Sequence, residues 1–218
     1  MADEDSDAGT AGGGRDELLS QAMIALDNGR AVDAERLATE VLDLDRHHAG
    51  ALYVLGYALT LQSRYEEAVD ALARGVEVAP LRPELSIQLG YAELSRRDCA
   101  GAKIAFARAL EISPQAHDAL FGLAKAHQEL GENQPAAEGF RRYLIIRPND
   151  SGAWLNLGHC LLELGQLDAG YECFRTAARG DALRYGPALT SLSAAARGRY
   201  WLRPSAAARF MQPCRSRD

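Results

Sequence analysis

Small, large and helix-ending residues recur along this chain with a single period. Gly56, Gly90, Ala124 and Gly158 stand thirty-four residues apart, and so do Pro80, Pro114 and Pro148. Ala68, Ala102, Ala136 and Gly170 keep the same interval, as do Leu72, Phe106, Phe140 and Phe174. Four columns sharing one spacing exceed what an alanine-rich composition gives by accident. The chain is therefore an array of similar supersecondary units, none of which buries enough apolar surface to stand alone. Apolar residues inside each unit follow helical spacing, broken near "QSR", "SRRD", "LGEN" and "LGQL", where Gly131 and Gly165 are suited to left-handed helix ends.

The residues carrying the repeat read "ALYVLGYAL…RYEEAVDALARGVEVAP", "LSIQLGYAEL…DCAGAKIAFARALEISP", "ALFGLAKAH…QPAAEGFRRYLIIRP" and "AWLNLGHCL…QLDAGYECFRTAA". In these motifs the chain resembles the tetratricopeptide repeat family. The resemblance implies an all-α, right-handed superhelical solenoid of stacked antiparallel helix pairs. Windows fall at 49–82, 83–116, 117–150 and 151–184, behind a degenerate first unit at 15–48 that has Arg46 where the proline recurs. The last window carries Ala182 at that place. Terminal units are expected to depart from the pattern because one side lacks a neighbour.

Each column has an expected physical role. Glycine or alanine at 56, 90, 124 and 158 lets two helix backbones approach, against Ala68, Ala102 and Ala136 on the second helix. Leu72, Phe106, Phe140 and Phe174 fill the seam between units. The prolines end the second helices, Pro83 suits a first helical turn, and Asp118 and Ser151 are candidate caps. The acidic, glycine-rich residues 1–14 are expected to be disordered, with no secretory signal and no transmembrane span in the chain. Residues 185–218 are expected to form capping helices and a basic tail. There Arg197, Arg199, Arg203, Arg209, Arg215 and Arg217 interleave with Tyr200 and Trp201.

Chemistry is hard to find. Cys99, Cys160, Cys173 and Cys214 match no zinc, thioredoxin-like or disulfide spacing and read as small apolar residues in a reducing compartment. His47 and His48 have no ligand-spaced partner, and adjacent His159 and Cys160 point to different sides of a helix. Glu66, Glu67 and Asp70 read as a solvated face with ordinary carboxylate titration. No phosphate-binding loop or nucleophile elbow occurs. The expectation is a non-enzyme with no catalytic residue, metal or cofactor.

The family's geometry implies instead a concave wall of first helices. Its rows are Tyr53, Ile87, Phe121 and Leu155, then Tyr57, Tyr91, Lys125 and His159, then Thr60, Leu94, Gln128 and Leu162, with Asn156 beside them. Some family members grip a terminal carboxylate through lysines, an arginine and asparagines at such places. Here only Lys125 and Asn156 remotely suit that task, so an apolar peptide contact is implied, with Glu129 and Glu163 as an acidic rim. The function expected is a cytoplasmic scaffold or adaptor for a protein or peptide partner. Alternatives are an accessory subunit of an enzyme and self-assembly into a homo-oligomer. A formal charge of −6 disfavours nucleic acid, and membrane contact is likewise disfavoured. The alanine-rich, arginine-preferring composition has a bacterial look.

Overall fold

A computed structural model describes residues 7–180, and the expected capping helices and basic tail at 185–218 lie outside them. Ten α-helices and no strands occupy the described residues. They are α1 (Asp7–Asp27), α2 (Ala31–Leu44), α3 (Ala49–Leu61), α4 (Tyr65–Val78), α5 (Pro83–Ser95) and α6 (Cys99–Ile112), then α7 (His117–Glu129), α8 (Asn133–Ile146), α9 (Ser151–Glu163) and α10 (Leu167–Gly180). From α2 onward every helix starts and stops thirty-four residues after its counterpart. The chain divides between Ala116 and His117 into two compact units, holding α1–α6 and α7–α10.

In each unit consecutive helices pack as pairs, and the first helices also touch one another: α1 with α3, α3 with α5, and α7 with α9. That double duty explains the composition. In α3, Ala51, Leu52, Val54, Ala58 and Leu59 are buried on more than one side, so the helix is apolar almost all round. In α4 only Ala68, Ala71, Leu72, Gly75 and Val76 are buried, and the remaining face carries Glu66, Glu67, Asp70 and Glu77.

The small-residue column works differently from the expected backbone approach. A Cβ placed on Gly56 would lie 2.3 Å from Leu72 Cγ, and one on Gly90 would lie 2.7 Å from the Phe106 ring. The glycine thus makes room for the large side chain of its own hairpin, which is fully buried. Only at Gly158 does backbone share the site, with the Gly170 carbonyl 3.1 Å from the added atom and Phe174 at 2.9 Å. Ala124 is tolerated because its neighbour on α8 is Gly139, whose added Cβ would meet the Ala124 Cβ at 2.8 Å. The seam residues also reach the next pair: Leu72 belongs to one cluster with Leu85 and Ala92 of α5.

Helix ends hold two further corrections. α1 begins at Asp7, so the stretch expected to lack structure is helical from Asp7 onward. A helix nucleated where Leu18, Leu19 and Ala22 pack extends backwards at little extra cost. Ser151 does not cap α9. Asp150 does, its carboxylate accepting from the Ala153 N–H at 3.0 Å, while Asp118 lies inside the first turn of α7. His48 caps α3 in the same way, its Nδ1 accepting from the Ala51 N–H at 3.1 Å. Pro83 does stand at the start of α5. α2 ends on the same backbone bond as α4, α6 and α8 although Arg46 replaces the proline, so proline follows the stop without being required for it.

Candidate interaction surface

Of the expected wall residues of the 1–116 unit, Tyr53 and Tyr57 lie on α3 and Ile87, Tyr91 and Leu94 on α5, helices that pack against each other. Tyr53, Tyr57, Ile87, Tyr91 and Leu94 are all half-buried. Tyr53 and Tyr57, one turn apart on α3, meet edge to face with centroids 6.4 Å apart. Both lie against the α1–α2 core, and Tyr53 also against the α4–α5 cluster. Burial raises the Tyr53 phenol above its usual range, opposed by a hydrogen bond with the Gln88 side chain and aided by Tyr57 and the charges of Glu84 and Asp27. Tyr91 rests its ring on Phe106 at 5.0 Å and 77°. Neighbours therefore hold the tyrosines in place without covering them.

Three residues of α1 at matching places escaped the sequence reading. Leu19 and Met23 stand thirty-four residues before Tyr53 and Tyr57, and Met23 is 42% exposed. Asp27, at the end of α1, is exposed beside them. The signal was available in the period, but the degenerate first unit lacks the aromatic residues that draw attention.

In the unit that starts at His117 the expected set is less uniform. Phe121 is half-buried between Phe140 at 5.6 Å and Tyr143 at 5.1 Å. Lys125 is held by Glu129 at 2.8 Å, so its ammonium is not an unengaged anchor. Leu155 is a core residue, 8% exposed among Tyr171, Phe174 and fully buried Leu162, because it faces α10. Asn156 is half-buried, and His159 sets its ring edge-on to Phe174 at 5.9 Å. Burial, with Lys125 nearby, holds the His159 imidazole below its usual range against the pull of Glu163.

Elsewhere, polar clasps tie the turn of one pair to the second helix of the preceding pair. Arg64 binds Glu35 and Glu67, both at 2.6 Å, and Gln62 donates to Glu35 at 2.7 Å. Arg96 binds Glu93 at 2.5 Å and Glu66 at 2.9 Å. Glu66 and Glu67 are thus not a plain solvated face, and the Arg64 guanidinium holds Glu67 below the usual carboxylate range. Burial pushes the thiols of Cys160 and Cys173 up to about 11, so both remain unreactive protonated groups at neutral pH. No helix among the described residues is long and apolar enough to cross a membrane.

Residues 25–87, 87–151 and 140–171 each match a family described as tetratricopeptide repeat. No curated protein matches the sequence significantly. Among solved structures, MamA superposes with a TM-score of 0.68 at 20% identity, covering 79% of this chain and 94% of its own. A MamA RS-1 double mutant gives 0.70 at 16% identity, over 79% and 97%. YrrB, described as a TPR protein with an unusual peptide-binding site, gives 0.66 at 18% identity, over 78% and 89%.

Proposed function

The chain belongs to the tetratricopeptide repeat family, and from that premise we propose that it is a non-catalytic scaffold or adaptor whose first helices bind a segment of a partner protein. The observation that carries this reading is the half-exposed row of Tyr53, Tyr57, Ile87, Tyr91 and Leu94, backed by ring and hydrogen-bond contacts. Tyrosines fixed on helices lose little freedom on binding, which leaves more of the contact energy as affinity. In the unit that starts at His117, Phe121, Lys125, Asn156 and His159 form a separate candidate set, and Leu155 supports it from the core. YrrB's peptide site lends the reading support by fold. Among the described residues Cys99, Cys160 and Cys173 are free thiols, which suits a reducing, cytoplasmic setting.

A pull-down comparing wild type with Tyr57→Ala/Tyr91→Ala tests the placement. The expected result is loss of a specific partner from the double variant, with retention by Arg108→Ala on exposed α6 surface. Equal recovery of every partner by the tyrosine variant would move the binding site elsewhere.

A further inference from the structure

The helices that carry the tyrosines of the 1–116 unit hold more acid than base. Its three first helices, α1, α3 and α5, carry the exposed acids Asp16, Glu17, Asp27 and Glu84, and their one basic residue, Arg15, pairs with Asp45 at 3.8 Å. Neither α3 nor α5 contains a lysine or arginine. Glu84 lies in the first turn of α5 and Asp27 at the end of α1, the two helices that pack beside α3. Both are exposed, and neither is among the acids held by the Arg64 and Arg96 clasps.

From this juxtaposition of tyrosine faces and flanking carboxylates we propose that the wall selects a partner segment bearing arginine or lysine among apolar side chains. The inference rests on the binding reading above and narrows it to one chemistry. An aromatic face attracts a cation through its quadrupole, and a carboxylate at the rim gives the same cation a second contact. The aliphatic stem of arginine or lysine meanwhile covers Ile87 and Leu94. An acidic segment is repelled by Asp27 and Glu84 and gains no compensating base on α3 or α5. The proposed occupant belongs to another protein.

The test uses the full chain and fluorescein-labelled peptides of alternating leucine and arginine, with glutamine and glutamate versions, read by fluorescence anisotropy. The arginine peptide is expected to bind about tenfold more tightly than the glutamine peptide, from two modest charge contacts. That preference is expected to vanish in Asp27→Asn/Glu84→Gln, to survive in Asp70→Asn/Glu77→Gln on α4, and to weaken with salt. Equal binding of all three peptides, still lost in Tyr57→Ala/Tyr91→Ala, would overturn the charge selection while leaving the wall as a binding face. Equal loss in the α4 variant would overturn it by showing a response to net charge alone. Absence of binding by every peptide would also overturn it. A peptide of residues 197–217 that binds as tightly as the arginine probe and displaces it would show that the occupant is this chain itself, against the proposal.

Discussion

Replacing Gly56 with alanine tests what the repeated glycine is for. The new Cβ would sit 2.3, 2.8 and 2.9 Å from Leu72 Cγ, Cδ2 and Cδ1, where ordinary contact begins near 3.4 Å. Leu72 has no exposed surface and packs on Leu85 and Ala92, so it has nowhere to swing. Overpacking of this kind costs about 1–3 kcal/mol, and the better helix propensity of alanine returns about 1 kcal/mol. The expected net loss is up to about 2 kcal/mol. Leu72→Ala alone removes a fully buried side chain and is expected to cost about 2–5 kcal/mol. In that background the clash is gone and the propensity gain remains, so Gly56→Ala becomes neutral or stabilising by up to about 1 kcal/mol. Denaturant unfolding of the four proteins measures the cycle. A Gly56→Ala penalty of the same size with and without Leu72 would refute the reasoning, because the glycine would then be answering something other than that side chain.

Three further substitutions probe other features. Ser86 occupies a position where Leu52, Leu120 and Trp154 stand in the other pairs, and its buried hydroxyl has no hydrogen-bond partner among the described residues. Ser86→Ala is expected to raise stability by about 1 kcal/mol, read as a higher denaturation midpoint. Arg97 holds φ at 70°, so Arg97→Gly is expected to stabilise by about 0.5–1 kcal/mol after the entropy gained by the unfolded chain is deducted. A lower midpoint would count against the assigned strain. Burial acts to raise Asp150, but the Ala153 N–H, the Tyr143 hydroxyl and the Gly152 N–H leave its carboxyl below the usual range. A depressed folded value means that its stabilisation is complete above the unfolded value, about 4, and fades as pH falls through the folded one. The advantage of wild type over Asp150→Asn in thermal melts is therefore expected to be flat from about pH 5 to 8 and to shrink on acidification below about 4.

Helix pairing was legible because side-chain size alone marks it. The period marked the glycine and large-residue columns, but the sequence reading set Gly56 and Gly90 against a helix backbone, and only the structure sets them against Leu72 and Phe106. The exchange of Ala124 and Gly139 was harder to read, since two modest residues swap roles across a pair of helices. The inner turns show the limit most clearly. Gly29, Ser63, Arg97, Gly131 and Gly165 all have positive φ and stand thirty-four residues apart. Only the glycines carry a composition cue, because pairing of the flanking helices forces the same backbone on Ser63 and Arg97. On α3 and α5 the period drew attention to Tyr53, Tyr57 and Tyr91, which are half-buried. Leu155 was misplaced because its orientation depends on Tyr171 and Phe174, which periodicity on α9 does not encode.

The most direct test of the binding face is photo-crosslinking in cells, with a benzophenone amino acid placed at Tyr57 in one protein and at exposed Glu77 on α4 in another. The account predicts a discrete adduct with a partner protein from position 57 and none from position 77. Adducts from position 77 alone would contradict it.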